Sequence, residues 1–265
     1  MSTSNYNPTI SIIMPALNEE STIREAIDDV LFVLRDNSIK GEIVIVNDGS
    51  TDSTPIFIQN KIKDNPDVIT TVNHNTRKGV GASFWDGADI ARGEFICMVP
   101  ADRENDPREV LRYLNLLKDV DMVIPFSFNI NVRPRSRNIL SNIYRFIINN
   151  TFSTLLNYAN GTTIYRRELL NDLTHRCIGF FFQTDILIRL IKKGYLFAEV
   201  PYKLKMREKG KSKAVTWGSL VEVIRGYINL FFDIYIKKSE AKGHFIPNSA
   251  TFRRYQEIAA SETNS

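Results

Sequence analysis

Strand and helix signals alternate along the first half of this chain, and three of the apolar runs stop in loops rich in Asn, Asp and Glu. Residues 10–14 are apolar and end at Pro15; residues 42–46 are β-branched and end at Asn47-Asp48-Gly49-Ser50; residues 95–99 end at Pro100-Ala101-Asp102-Arg103-Glu104. Between the first two, Ile23, Ala26, Ile27, Val30, Leu31 and Leu34 recur at helical spacing behind Glu19 and Glu20, which suit a helix N-terminus. Further strands are predicted at 69–72 and 122–124, and a helix from Gly79 to Ala91. Such alternation predicts an α/β fold, a mostly parallel sheet with helices on both faces. In that architecture ligands bind beyond the carboxyl ends of the strands, where all these polar loops fall.

The loop after residue 99 carries the sharpest chemistry. If it stays extended, Asp102 and Glu104 point the same way and can converge on one cation. Asp48 is suited to accept hydrogen bonds from a base or ribose, and Gly49 allows a tight turn. Each motif alone also fits an ordinary turn or helix cap; their common placement favours a site.

The second half predicts amphipathic helices at about 139–156 and 216–236, a helix from Asp185 to Lys193 stopped by Gly194, and a polar tail over 237–265. Residues 1–236 read as a single domain. The start is polar, so no signal peptide is expected, and Asn, Gly or charged residues interrupt every long apolar window. Cys97 and Cys177 lack metal-ligand spacing and read as free thiols of a reducing compartment. The formal charge of +4 permits contact with phosphates or anionic lipid and does not call for nucleic acid. His74, His175 and Cys177 read as structural or surface residues.

These motifs, in this order, resemble glycosyltransferase family 2, most closely its dolichol-phosphate mannosyltransferase branch, which makes polyprenyl-phosphate sugars. Residues 15–20 match Pro-Ala-Tyr-Asn-Glu-Glu with Leu17 for tyrosine; 46–54 match Val-Asp-Asp-Gly-Ser-x-Asp-x-Thr with Asn47 for the first aspartate; 79–83 are similar to Gly-x-Gly-x-Ala with Ser83 for alanine. The family's Asp-x-Asp falls on Pro100-Ala101-Asp102, and Glu104 stands where a glutamine often follows. Residues 207–213 fit Arg-x-x-Gly-x-Ser-Lys in full, and 194–201 fit its Gly-Tyr-x-x-x-Glu-Val-Pro lead-in. Asn157 replaces a common aspartate, and Asn160-Gly161 replaces Ser-Gly.

The resemblance implies a GT-A fold and an inverting transfer of a sugar from a GDP- or UDP-sugar to polyprenyl phosphate, with Mg²⁺ or Mn²⁺ on the donor diphosphate. It assigns Asp102 as first metal ligand, with Glu104 supplying the carboxylate that Pro100 lacks. Pro15, Leu17, Glu19, Val46, Asp48, Ala101, Asp102 and Lys213 would bind the nucleotide sugar. Arg137, Ser141 and Arg207 would hold the acceptor phosphate, Arg207 and Lys213 belonging to a basic lid. An ionised phosphate acceptor needs no general base; a glycan hydroxyl would, with Asp185 as the candidate. A third reading, supported by Pro100 and Asn47, is a relative that binds nucleotide sugar without turnover. The amphipathic helices imply peripheral contact with the cytoplasmic face of a membrane, or plain core or oligomer packing.

Overall fold

The structure is a computed structural model and describes residues 7–129, 131, 134–173, 175–204, 217–238 and 244–263. The strands are β1 (Ile10–Ala16), β2 (Gly41–Asn47), β3 (Ile69–Asn73), β4 (Phe95–Met98), β5 (Met122–Ser127), β6 (Ile164–Arg166) and β7 (Phe197–Tyr202). They form one seven-stranded sheet in the order β3-β2-β1-β4-β6-β5-β7. β1 pairs in parallel with β2 and β4, as β2 does with β3 and β5 with β7; β6 alone runs antiparallel, between β4 and β5. All of β2, and all of β1 but Pro15, are buried. Central parallel strands are covered on both faces, which is why they read as unbroken apolar runs.

The helices are α1 (Ile23–Asp36), α2 (Thr54–Asp64), α3 (Val80–Ile90), α4 (Pro107–Leu111), α5 (Arg135–Phe152), α6 (Arg167–Asn171), α7 (Phe182–Lys193), α8 (Trp217–Phe231) and α9 (Ala250–Thr263). A π-helical turn, Phe232–Ile236, extends α8. The face of α1 with Ile23, Ala26, Ile27, Val30, Leu31 and Leu34 is buried, as its spacing predicts.

α5 and α8 lie together through Thr151 and Tyr227, whose hydroxyls are 2.8 Å apart, and through the Phe152 and Tyr227 rings at 5.8 Å between centroids. Their outer faces stay apolar and exposed: Ile139, Ile143, Phe146 and Ile147 on α5; Leu220, Ile224, Ile228 and Phe231 on α8. None of the helices among the described residues is long and apolar enough to cross a membrane.

The expected polar tail departs most from its sequence reading. Within it, α9 docks by its N-terminus. Asp121, fully buried, accepts the Ala250 and Thr251 N–H groups at 2.7 and 3.0 Å and the Thr251 hydroxyl. The Thr251 hydroxyl oxygen in turn accepts the Leu196 N–H at 2.8 Å. A carboxylate at a helix N-terminus satisfies orphan donors and complements the dipole. This anchor is polar, so hydrophobic periodicity gave no sign of it.

Candidate active site

The loops after β1, β2 and β4 meet at the carboxyl edge of the sheet. The first two brace each other through reciprocal hydrogen bonds. Asn18 N–H donates to Ser50 Oγ (3.0 Å), Thr51 N–H to Asn18 Oδ1 (2.8 Å), Glu19 N–H to Thr54 Oγ1 (2.9 Å) and Ser53 N–H to Glu20 Oε2 (3.1 Å). Partial burial pushes the Asp52 carboxyl up, but hydrogen bonds from Thr54 and the Glu20 N–H outweigh it and hold it below the usual range. Pro15 and Leu17 are half-buried on this edge, as is Glu19, whose Oε2 accepts the Thr22 hydroxyl. Val46 and Ala101 are buried, Val46 paired between β1 and β3 and Ala101 bonded through its N–H to Pro15 O.

Asn47 is explained by its neighbours. Its Oδ1 accepts the Ser50 N–H while its Nδ2 donates to Asn73 Oδ1 at 3.1 Å. An aspartate here could make the first bond but could not donate the second. Gly49 is required twice over: its φ is +74°, and a Cβ would lie 2.8 Å from Arg77 N.

Asp48 is nearly buried and held from three sides. Oδ1 accepts from Lys78 N–H at 2.7 Å and lies 2.7 Å from His74 Nδ1; Oδ2 accepts from Gly79 N–H at 2.9 Å. His74 Nε2 lies 2.8 Å from Asp86 Oδ2, which also receives Lys78 Nζ at 2.9 Å. Partial burial pushes Asp86 up, but Lys78 and His74 outweigh it and hold its carboxyl below the usual range. His74, read from sequence as structural or surface, therefore belongs to this site. The available signal was its position directly after β3, level with the other polar loops.

The Asp102 loop is a turn and not the extended segment that the sequence reading assumed. Arg103 has φ +60°, and Glu104 N–H donates to Asp102 Oδ1 at 3.2 Å, an Asx-type turn. Ala101 N–H donates to Pro15 O at 3.3 Å, tying the turn to β1. Pro100 costs no ladder bond, because β4 pairs with β6 only as far as Cys97. Its effect is chemical: one carboxylate fewer. The Glu104 carboxylate lies 4.0 Å from the Arg137 guanidinium in the first turn of α5. This contact joins the Asp102 loop to the helix that carries the apolar face. Ser141, one turn on, is half-buried.

No group of three or more His, Cys, Asp or Glu side chains placed to hold a metal occurs among the described residues. A hard cation on a diphosphate is commonly held by one or two carboxylates together with the phosphates. The turn at Arg103 removes the alternation by which Asp102 and Glu104 were expected to converge, and Asp102 Oδ1 already accepts the Glu104 N–H.

Asp185, the sequence candidate for a base, lies in the first turn of α7 and is sealed at 1% exposure. Its Oδ2 accepts Arg189 Nε at 3.0 Å, and Arg189 reaches Asp233 Oδ2 at 2.7 Å. Burial pushes the Asp185 carboxyl up, with Arg189 opposing. A raised carboxyl suits a base, but this one is closed to solvent. Arg207 and Lys213 lie outside the described residues. The Glu199 carboxylate accepts the Asn157 N–H (2.7 Å) and side-chain amide (2.9 Å), and the fully buried Arg189 is a cation that sequence reading passed over. The match of Glu199 to the Glu-Val-Pro motif was legible; its partner was not.

The family model described as glycosyl transferase family 2 matches residues 11–174. The chain belongs to glycosyltransferase family 2. Among similar proteins, this family 2 chain is 28% identical to the low-salt glycan biosynthesis hexosyltransferase Agl6 of Haloferax volcanii, over 77% of this chain and 50% of that one. It is 27% identical to the polyprenol monophosphomannose synthase of Mycolicibacterium smegmatis, over 76% and 79%. The match thus spans half the length of the first and most of the second. Glucosyl-3-phosphoglycerate synthase from Mycobacterium tuberculosis, in complex with Mn²⁺, UDP-glucose and phosphoglyceric acid, superposes with TM-score 0.64 at 20% identity, covering 84% of this chain and 80% of that one. That likeness establishes the GT-A fold expected from the sequence.

Proposed function

We propose that this family 2 chain transfers a sugar, with inversion, from a GDP- or UDP-sugar to polyprenyl phosphate at the cytoplasmic face of a membrane, using Mg²⁺ or Mn²⁺. The observation that carries the reading is the Glu104–Arg137 contact. It puts the carboxylate loop suited to a donor diphosphate beside the cationic start of α5, whose apolar face continues onto α8. The relative named a polyprenol monophosphomannose synthase supports the same reading.

In this reading the loops after β1 and β2 seat the nucleotide. Asp102 and Glu104 hold the metal, which supplies charge neutralisation on the leaving diphosphate. Arg137 and Ser141 receive the acceptor phosphate, and Arg207 and Lys213 close over the phosphates. A phosphate monoester has a second pKa of about 6 and is mostly ionised at neutral pH. It attacks without a base, so positioning and charge neutralisation provide the catalysis. The buried, Arg189-bound state of Asp185 weighs against the glycan-hydroxyl alternative.

The face of α5 and α8 gives the test. Phe146 is 68% exposed at its centre. Phe146→Glu is expected to lower transfer to polyprenyl phosphate in anionic vesicles about 10- to 100-fold, the scale of one large apolar side chain losing its burial. Transfer to a short, water-soluble isoprenyl phosphate should be unchanged. Equal loss on both acceptors would remove the membrane role, and absence of transfer to either by the unmodified protein would remove the activity.

A further inference from the structure

Asp48 is more fully engaged than a nucleotide-facing carboxylate needs to be. An ionised carboxylate offers about four acceptor positions, two on each oxygen. Oδ1 is taken by His74 Nδ1 and the Lys78 N–H, and one position of Oδ2 by the Gly79 N–H. Among the described residues, the acceptor position left is the second one on Oδ2.

His74 is held in this task from its far side. Nε2 lies on Asp86 Oδ2, itself fixed by Lys78 Nζ. The ring is buried, so it cannot swing out to release Oδ1 without breaking both contacts. The backbone donors come with the loop that opens α3. The His74 contact is the side-chain choice that removes Oδ1 from use.

We infer that His74 sets the base specificity of the donor site: it limits Asp48 to a single acceptor, which suits a uracil base and not guanine. Uracil presents one ring N–H, at N3, between two carbonyl oxygens. Guanine presents N1–H and the N2 amino group side by side, a pair that is matched by a carboxylate with both oxygens open. Against Asp48 one guanine donor would be desolvated without a partner, and a site rejects a ligand on that ground. The inference rests on the reading of Asp48 as part of the nucleotide site, and it makes the donor a UDP-sugar.

The test is calorimetric binding of UDP, GDP and N3-methyl-UDP to the full chain with Mn²⁺ present. UDP is expected to bind about 10- to 100-fold more tightly than either of the others, the worth of one hydrogen bond to a charged group. Two variants separate the ring nitrogens. In His74→Asn the amide nitrogen falls near the place of Nδ1 and keeps its bond to Asp48, so the preference for UDP over GDP should persist. In His74→Gln it falls near Nε2, reaches Asp86 and leaves Oδ1 open, so the preference should narrow. GDP binding as tightly as UDP, N3-methyl-UDP binding like UDP, or the same preference in both variants overturns the inference while leaving the nucleotide site intact. If none of the nucleotides binds, the nucleotide reading of Asp48 falls and the inference with it. If a variant does not fold, GDP binding as tightly as UDP to the unmodified protein still overturns the inference.

Discussion

Replacing Asp102 with asparagine is expected to lower kcat about 10²- to 10³-fold, the usual cost of removing one preorganised electrostatic stabiliser. The substitution is chosen for what it keeps. Asparagine Oδ1 can still accept the Glu104 N–H, so the turn at Arg103 survives, as does the bond from Ala101 N–H to Pro15 O. What goes is one negative charge beside the diphosphate. The loop has fewer carboxylates than its relatives' pattern because Pro100 stands at the first acidic position, so Asp102 has less support when it is changed. Glu104→Gln should produce a smaller loss, seen chiefly as a higher Mn²⁺ requirement, since Glu104 also answers to Arg137. Steady-state rates over a Mn²⁺ titration measure both. An Asp102→Asn protein with full metal-dependent activity would place the cation elsewhere.

The largest effect on stability is expected from Arg189. Its side chain is fully buried between Asp185, 3.0 Å away, and Asp233, 2.7 Å away. It pins α7 to the π-helical turn after α8, and so holds the apolar face in place. Arg189→Leu leaves Asp185 without its cation and Asp233 with Lys237, 2.8 Å away, and breaking a buried pair this way costs about 3–5 kcal/mol. Asp185 Oδ1 has no hydrogen-bond partner among the described residues, so little else compensates it.

The pH dependence has a definite sign. Burial raises the Asp185 pKa, so this group favours the folded state at low pH and that contribution is lost as pH rises through its folded value. Asp233 runs the other way. Partial burial pushes it up, but Lys237 and Arg189 hold it below the usual range. Its stabilisation is present above the unfolded pKa and is lost as pH falls through the folded one. Without Arg189 both carboxylates are harder to ionise, so the penalty should be greatest at neutral pH and shrink as the pH is lowered to about 4, into the ordinary carboxylate range. Urea unfolding of the unmodified protein and the variant at both pH values measures it. A penalty independent of pH would mean lost packing, not lost charge, dominates.

What could be read from the sequence follows from which forces leave a periodic trace. β1, β2, β4 and α1 bury apolar side chains at fixed spacing, and each lies where that spacing predicts. β6 has three residues, too few to show a period, and it is the strand that breaks the parallel pattern. β7 carries Pro201, which argues against a central strand; it lies at the sheet edge, where a missing N–H is tolerated. α9 is fixed by the buried Asp121 carboxylate, a contact across 129 residues that no local window contains.

The site divides in the same way. That the Asp48 and Asp102 loops share one edge was legible from their common position after strands. That Asp48 would be clasped by His74 was not, since it depends on β3 lying beside β2. Asp185 shows the opposite limit: its match to the family's usual glutamate suggested chemistry, and the structure shows a buried ion pair with Arg189. Glu104 lies between the two, its N–H on the expected metal ligand Asp102 and its carboxylate 4.0 Å from Arg137.

One measurement tests the central claim most directly. The full chain is incubated with Mn²⁺, a radiolabelled nucleotide-diphosphate sugar and polyprenyl phosphate, beside the matching polyprenol and a panel of glycan acceptors, with and without a chelator. The account predicts label in a β-linked polyprenyl-phosphate sugar from an α-linked donor, lost on chelation and absent with the polyprenol. Transfer to a glycan hydroxyl with none to the lipid phosphate, or transfer that survives chelation, would contradict it.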